Sequence, residues 1–452
     1  MPRYSAILPS REAGPDLCAP GHLGELAQVI DPELVDVVLV ETGAGGRRLR
    51  LLPARVVVYF VLALALFERS SYTAVWGRLG AGLRGITLVV PAASSLSRAV
   101  RGRLRAGGHA RAARRLLPRL RVVAVDGTTL CVPGEQAVAW CYPKRGGPVK
   151  GFGSPLLRLV ALVECGTRAL PGVAFGPDTT GELGYAHSLL AHLDESMVPP
   201  AGAYYDAHDL LRALGATRAA FLVRATRERR PAVRRALPDG SCLTTIARGK
   251  YRAGTGYGRI RVCVIEARMT VALADGARRT GLWRVMASLL DAERHRAEEL
   301  IGLYRRRWRA ETCYFSLKST ILDGRVLRSR TVPGIEQEVY ALLTVYQALI
   351  RAACDLITAR PEISAQRVSL TVLLNATTGH IVAARSPGPD DPMALIGPVG
   401  RAALAGLFPD SRRWRLKARV RKRASKYTFT ADKHPGKALA YTLHFEVIAG
   451  EA

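Results

Sequence analysis

The stretch Arg121-Val-Val-Ala-Val-Asp126-Gly-Thr-Thr129 is a short apolar run that ends in an acid followed by a turn residue. A run of this kind predicts a β-strand that buries its valines in a sheet and holds Asp126 at its end or edge. Two more strand candidates, residues 156–164 and 169–175, follow at hairpin-like spacing, and a helix is expected from about residue 182 to 193. This region therefore predicts a sheet built outward from the strand that carries Asp126.

A second apolar run ends in an acid at Ala201-Gly-Ala-Tyr-Tyr205-Asp206. After it, residues 210–214 favour a helix and residues 219–224 favour a strand. The predicted order is β-β-β-α-β-α-β, with acids on the first and fourth strands. This order is that of a ribonuclease-H-like α/β fold, in which the last catalytic acid lies on a later helix.

Four polar residues later in the chain are spaced so that they share one face of a helix. They are Tyr304, Arg307, Glu311 and Lys318, within a segment expected to be helical from residue 300 to 322. At about 100° per residue they fall at roughly 0°, −60°, −20° and −40°, which is one narrow stripe. A carboxylate, two cations and a phenol are thus aligned. The alternative is a solvated charged helix with i,i+4 pairing between Arg307 and Glu311.

The segment from residue 227 to 284 interrupts the predicted catalytic fold with short β-type runs separated by turn signals. Its glycine cluster at 254–258 lacks the helix and the Gly-Lys-Ser/Thr ending of a phosphate-binding loop, so it favours a turn. The predicted domains are a helical N-terminal domain (1–90), the first part of a ribonuclease-H-like catalytic domain (91–226), a β-rich insertion (227–284), the remainder of the catalytic domain with the glutamate-bearing helix (285–385) and a basic C-terminal tail (386–452).

The composition indicates a polyanionic partner. The chain of 452 residues has 66 Lys plus Arg against 37 Asp plus Glu, a formal net charge of +29. An excess of this size raises the affinity for polyanions, because each neutralised phosphate releases counterions. Double-stranded DNA is the expected ligand. The arginine-rich run from residue 98 to 121 favours phosphate contacts, although such runs are also typical of a solvated face. The basic residues 412–426 indicate either a nucleic-acid contact or a partly disordered arm.

Cysteine and hydropathy patterns favour a cytoplasmic protein. The eight cysteines are scattered without a Cys-x-x-Cys pair or a His/Cys cluster at zinc spacing, which indicates reduced core residues. The apolar run from Val56 to Phe67 is shorter than the ~20 residues that span a bilayer and favours a buried helix. No secretory signal is recognisable at the start of the sequence. We expect a cytoplasmic, nucleoid-associated protein with no membrane partner.

Asp126, Asp206 and Glu311 together suggest a metal site. Their carboxylate oxygens, without cysteine or histidine, suit Mg²⁺ or Mn²⁺ better than zinc. Two such ions about 3.5–4 Å apart can activate a water or a 3′-hydroxyl and stabilise the leaving oxygen of an in-line phosphodiester displacement. Taken singly, an Asp after a strand is more often a turn or a helix cap. The prediction therefore depends on the order of the three acids together with the stripe.

These motifs resemble those of bacterial DDE transposases of the insertion sequence 4 family. The family signature Y-(2)-R-(3)-E-(6)-K matches Tyr304, Arg307, Glu311 and Lys318, and Val125-Asp-Gly-Thr-Thr129 resembles the region of the first acid. The resemblance implies a ribonuclease-H-like catalytic domain with a β-rich insertion ahead of the catalytic glutamate. It also implies cut-and-paste transposition, usually through a hairpin intermediate, by a homodimer that binds paired transposon ends.

The resemblance further implies a role for each residue of the motifs. Two divalent metal ions, Mg²⁺ or Mn²⁺, would be coordinated by Asp126, Asp206 and Glu311. The remaining stripe residues would hold DNA near the cleaved transposon end; they are Tyr304, Arg307 and Lys318.

Two positions leave alternatives open. The family's second acid is usually followed by Arg, whereas here the sequence is Asp206-Ala-His-Asp209, so Asp209 is a competing choice and activity is in question. Trp283, at the end of the insertion, is a candidate for holding a base flipped out of the hairpin, and a core tryptophan is the alternative. The competing functions are a catalytically silent DNA-binding protein derived from a transposase and a ribonuclease-H-like nuclease without strand transfer.

Overall fold

The computed structural model describes residues 30–44, 54–80, 91, 96, 121–143, 154–230, 232–247, 258–273, 275–383, 397–409, 415–416 and 439–448. Three features of the sequence lie largely outside the described residues. They are the arginine-rich run before Arg121, the glycine cluster at 254–258 and the basic residues 412–426.

Strand β1 (Arg121–Cys131) pairs with neighbours on both of its edges. On one edge it is antiparallel to β2 (Leu156–Glu164), which is in turn antiparallel to β3 (Gly172–Pro177). On the other edge it runs parallel to two short strands, β4 (Met197–Val198) and β5 (Pro200–Ala201). Strands β1 to β3 lie where the apolar runs of the sequence predicted them.

The sheet continues through β6 (Leu222–Arg224), which runs parallel to β5. The segment predicted to be a β-rich insertion supplies the strands β7 (Arg235–Ala236), β8 (Cys242–Ile246), β9 (Ile260–Leu273) and β10 (Arg278–Ala287). Because β10 pairs antiparallel with β6, these strands extend the central sheet.

Strand β9 has a shared outer edge. Its inner edge pairs with β10. Along its outer edge, residues 260–264 pair with β8, and residues 266–273 pair with β12 (Leu439–Ile448), which also pairs with β11 (Arg415–Leu416). The segment predicted only as a basic tail therefore contributes a strand that covers half of the edge of β9.

Helices surround the sheet, and the mixed α/β class expected from the sequence is confirmed. In chain order they are α1 (Pro32–Glu41), α2 (Ala54–Leu66), α3 (Tyr72–Gly80), α4 (Gln136–Cys141), α5 (Gly181–Ser188), α6 (His208–Ala216), α7 (Ala297–Arg305), α8 (Trp308–Phe315), α9 (Val332–Ala359), α10 (Leu370–Ala383) and α11 (Pro398–Ala405).

The N-terminal helices share a core with the sheet. α2 is buried along almost its whole length, and it packs against α9. The N-cap of α1 is Asp31, whose carboxylate accepts a hydrogen bond from the Leu34 N–H at 2.6 Å. One continuous apolar cluster contains residues of α1 to α3, of β1 and of α9. The α2–α9 contact thus joins the N-terminal helices to the sheet.

Helix α9 is long and apolar enough to cross a membrane by length and composition alone. However, 56% of its most apolar window is buried inside the protein, and it packs against α2 and α10. These contacts are those of a core helix.

The helix predicted from residue 300 to 322 is not continuous, and this part of the prediction is wrong. α7 and α8 are separated by a tight turn, in which the N–H of Arg307 bonds to the carbonyl of Tyr304 at 3.1 Å. After α8, residues Ser316–Ile321 form a π-helix. The predicted stripe is therefore spread over three short helical segments.

Candidate active site

The pleat of β1 decides where Asp126 lies. Val123 and Val125 belong to one apolar core cluster, whereas Val122 and Ala124 belong to the other, because successive side chains of a strand point to opposite faces. Asp126 follows on the face of Val122 and Ala124. This face is covered by α8, whose residues belong to the same cluster.

Arg307 connects two of the predicted acids. Its Nη1 lies 3.4 Å from Oδ2 of Asp126, and its Nη2 lies 3.9 Å from Oε1 of Glu311. The side chains of Asp126 and Arg307 are mostly buried, whereas 40% of the Glu311 side chain is exposed. Two carboxylates thus converge on one guanidinium, at a point where β1 meets α8.

Asp126 is not fully neutralised by this arrangement. Burial raises its pKa to about 6, although the Arg307 charge and a 3.1 Å hydrogen bond from the Gly127 N–H act to lower the pKa. The nearby charges of Glu311 and Glu182 add to the increase. The ionised carboxylate of Asp126 is therefore poorly stabilised in the free protein, and a bound cation would stabilise it.

Arg307 stays charged. Burial lowers the pKa of its guanidinium, but Tyr304, Asp126 and Glu311 together hold that pKa above its ordinary value. Lys318, on the π-helix, also points at β1, because its Nζ lies 3.3 Å from Oγ1 of Thr128. Both stripe cations therefore reach β1, two residues apart.

Tyr304 is a core residue. Only 2% of it is exposed, and burial raises the pKa of its phenol, which also interacts with Arg307. Its ring packs edge-on against Trp283, at 5.4 Å between centroids. Trp283 is itself buried between Tyr304 and Phe445, which favours the core interpretation of this tryptophan over the base-holding one.

The carboxylate of Asp206 is bound by residues other than Arg307, the partner of Asp126 and Glu311. Asp206 follows a 3₁₀ turn (Ala203–Tyr205), and its side chain is fully buried. The Nε atom of Arg229 lies between its oxygens, at 2.7 and 2.8 Å, and the Thr226 N–H donates to Oδ2 at 2.9 Å. Thr226 and Arg229 come after β6, which lies on the far side of β5 from β1. The Asp206 carboxylate is thus committed to the loop after β6.

The competing acid Asp209 lies at the surface. Half of its side chain is exposed, at the start of α6. Its neighbour His208 is buried and forms a hydrogen bond with the carbonyl of Gly258. These residues tie α6 to the insertion.

Two residues near Asp126 were missed by sequence reasoning. The Tyr314 hydroxyl donates to the Asp126 carbonyl oxygen at 2.5 Å and accepts from the Ala161 N–H at 3.2 Å, so it fixes β1 against α8. Glu182 lies beside Gly127, where a Cβ atom would come within 2.7 Å of its side chain. Tyr314 could have been found from its spacing, because it comes three residues after Glu311 and so lies near the same helix face. For Glu182 the sequence offered only its position at the start of a predicted helix.

Glu182 is already occupied by partners of its own. Arg158 forms ion pairs with both Glu182 and Asp178, and the Tyr205 hydroxyl lies 3.3 Å from Glu182. The charge of Glu182 helps to raise the pKa of Asp126, but the Glu182 carboxylate itself forms an ion pair with Arg158.

The donor set fits a divalent metal site only in part. Among the residues that the structure describes, no three Asp, Glu, His or Cys side chains are grouped so as to hold a metal ion. The carboxylates of Asp126 and Glu311 both lie within 4 Å of the Arg307 guanidinium. They supply the hard oxygen ligands that Mg²⁺ and Mn²⁺ prefer. Asp206 does not join them.

Comparison with known proteins identifies the class. A transposase DDE domain matches residues 117–348, and an insertion element 4 transposase N-terminal region matches residues 20–125. The first match covers more than half of the chain, so the protein is a DDE transposase. Together the two matches place it in the insertion sequence 4 family, which confirms the resemblance seen in the sequence.

One curated relative and one solved structure are similar to this chain. The transposase InsG for insertion sequence element IS4 of Escherichia coli (strain K12) is 24% identical over 349 residues, which cover 72% of this chain and 75% of that protein. A cryo-EM structure of a piggyBac transposase synaptic complex with hairpin DNA aligns over 85% of both chains, with 9% identity and a TM-score of 0.38.

Proposed function

We propose that this transposase cleaves phosphodiester bonds at the ends of an insertion sequence and joins the freed ends to target DNA. The observation that carries the proposal is the incompletely neutralised pair Asp126 and Glu311, held on a strand and a helix that meet at Arg307. We assign this part of the chain to a ribonuclease-H-like domain, because a strand with an acid at the sheet centre faces a helix with the glutamate.

Mg²⁺ or Mn²⁺ is the proposed cofactor, with Asp126 and Glu311 as its ligands. When bound, the metal would supply Lewis-acid stabilisation of the phosphate oxygens. Before DNA arrives, the positive charge of Arg307 offsets part of the repulsion between the two carboxylates. Asp206, the third acid expected from the sequence, would have to leave Arg229 and Thr226 to join them.

DNA is the proposed partner at this face. Arg307 and Lys318 can bind phosphate oxygens without competing for a metal, because cations do not coordinate it. Two aromatic side chains of α8 are exposed, Trp308 at 45% and Phe315 at 65%, and exposed rings can stack on displaced bases. The large positive charge of the chain supports binding to the rest of the duplex. Paired ends would be held by a homodimer, in the cytoplasm on the nucleoid.

The proposal is tested on DNA duplexes that carry the terminal inverted repeats flanking the reading frame. Glu311→Gln should abolish metal-dependent cleavage and leave DNA binding intact, because the change removes a ligand but no phosphate contact. Glu299→Gln, the same change at an exposed position of α7, is the matched control and should cleave like the parent. If Glu311→Gln cleaves like the parent, the site assignment is wrong.

A second candidate is a catalytically silent DNA-binding protein derived from a transposase. The observation that favours it is the ion pair between Asp206 and Arg229, which leaves only two acids at the site. In the same experiment, this candidate predicts salt-dependent binding to the repeats by the parent chain and no cleavage with Mg²⁺ or Mn²⁺.

A further inference from the structure

The register between β1 and β5 identifies the neighbour of Asp126. The two strands run parallel, with Val125 paired to Ala201, and both side chains belong to the same core cluster. Strand β5 ends at this pair, and Gly202, whose backbone is still extended, follows Ala201 as Asp126 follows Val125. Since side chains alternate between the faces of a sheet, both positions belong to the opposite face, at the strand spacing of about 4.8 Å. Gly202 is therefore the residue after β5 that corresponds to Asp126 when the two strands are aligned on this pair.

The backbone at Gly202 does not require glycine. Its φ of −71° and ψ of 171° are extended values that every residue adopts. Within the part of the chain that the structure describes, a Cβ atom built at Gly202 meets no atom within 4 Å apart from those of its chain neighbours, so a side chain has space there. Gly202 thus marks a place on the Asp126 face where a side chain fits and none is present.

The nearest acid after β5 in the chain does not fill this place. Asp206 is separated from Gly202 by the 3₁₀ turn and is bound to Arg229 and Thr226 beyond β6. A carboxylate on Gly202 would instead extend from the same sheet face as Asp126, toward the side that α8 covers with Glu311. Oxygen ligands from two adjacent strands and a facing helix would then surround one point.

We propose that Gly202 occupies the position of the missing third carboxylate, so that this chain has an incomplete divalent-cation site that Gly202→Asp would complete. The inference rests on the proposed function, because it takes Asp126 and Glu311 as the two ligands that remain. The number of charged ligands sets the affinity for a hard cation. The parent chain therefore binds divalent cations weakly and cleaves DNA slowly for this reason.

The test measures binding of Mn²⁺ alone to the full-length chain, by the loss of the free-ion electron paramagnetic resonance signal. Gly202→Asp should bind Mn²⁺ at least about tenfold more tightly than the parent, since even outer-shell partners of a metal change its affinity about 10–100-fold. Gly202→Asn has nearly the same shape without the charge, and it should bind like the parent. Both variants should unfold cooperatively in urea, because the backbone conformation at Gly202 accepts any residue.

The double variant Asp126→Asn/Gly202→Asp tests whether the new carboxylate acts together with Asp126. It should bind Mn²⁺ no more tightly than the parent. Cleavage of the terminal-repeat duplex with Mg²⁺ should rise in Gly202→Asp and in no other variant. The inference is overturned if Gly202→Asp binds Mn²⁺ like the parent, or if Gly202→Asn gains as much. Failure of the proposed function gives a different result: Gly202→Asp then gains affinity that Asp126→Asn and Glu311→Gln do not remove.

Discussion

Asp126 and Asp206 both follow a short apolar run, yet their surroundings differ in nearly every respect. Asp126 keeps 20% of its side chain exposed, has its nearest guanidinium nitrogen at 3.4 Å and has a pKa raised to about 6. The Asp206 side chain is fully buried, with Arg229 at 2.7 Å and a backbone N–H at 2.9 Å. One carboxylate is left short of positive charge, and the other has close partners.

The difference shows how an aspartate that serves the fold is distinguished from one that is available to a ligand. Burying a charge costs free energy unless a partner and hydrogen bonds compensate for it. Asp206 has that compensation, and it holds the loop after β6 in place. Asp126 is stabilised less well, so its ionised form gains more from an added cation. This contrast can be tested on the free protein, without DNA.

The largest effect is expected for Asp206→Ala. This change leaves Arg229 without its carboxylate and Thr226 without its acceptor, so we expect a loss of about 3–5 kcal/mol in the free energy of unfolding. Urea denaturation of the full-length chain measures it. The exposed Asp209→Ala serves as control and should change the same quantity by about 0.5 kcal/mol at most. If Asp206→Ala is as stable as this control, Asp206 does not stabilise the fold, and it does not differ from Asp126 in this respect.

Asp126→Asn should increase the free energy of unfolding, whereas Asp206→Ala should decrease it. The pKa of Asp126 is raised from 3.8 to about 6 in the folded protein, so the folded state binds the proton more tightly than the unfolded state. The stability due to that proton is fully present below the unfolded pKa and is lost as the pH rises through about 6. Asn cannot ionise and avoids this loss. Near pH 8 we expect Asp126→Asn to gain about 1–3 kcal/mol.

The pH dependence of that gain provides the check. Urea denaturation is repeated near pH 4, where the folded parent is protonated at Asp126 and the gain should have disappeared. Asp209→Asn, at an exposed position, should show no comparable trend. If Asp126→Asn is less stable than the parent near pH 8, the ion pair with Arg307 stabilises the folded state by more than burial of the ionised Asp126 carboxylate destabilises it.

The smallest effect on stability is expected for Glu311→Gln. Its carboxylate is 3.9 Å from Arg307 and 40% exposed, and pairs of this kind contribute about 0–1 kcal/mol. We expect a change within about 0.5 kcal/mol in urea denaturation without metal. A loss as large as that of Asp206→Ala would place Glu311 among the structural acids.

Local patterns in the sequence were sufficient for β1. The run that ends in Asp126 alternates between two cores, as a strand buried on both faces must. Two residues of the predicted stripe, Arg307 and Lys318, reach β1, although the sequence did not indicate which element they would contact. The break in the predicted helix 300–322 was not predicted. The periodicity of the side chains does not indicate where the backbone forms a tight turn, as after α7, or a π-helix, as after α8. Lys318 nevertheless reaches Thr128 from the π-helix.

Long-range partners could not be predicted in the same way. Nothing near Asp206 in the sequence indicates that Arg229, beyond another strand, would take its carboxylate. The pairing of Val125 with Ala201, on which the proposal for Gly202 depends, joins two strands far apart in the chain. The pairing of β12 with β9 was missed for the same reason, since a strand that completes a distant edge has no local signature of its partner.

The pairing of β12 with β9 has a consequence for the lifetime of the protein in the cell. Among the residues that the structure describes, β12 is the strand that covers the outer edge of residues 266–273 of β9. A premature stop codon anywhere before residue 439 would leave those backbone groups open, and an open strand edge pairs readily with other chains. Truncated products of this gene should therefore aggregate or be degraded, so that only fully translated copies persist to compete for transposon ends.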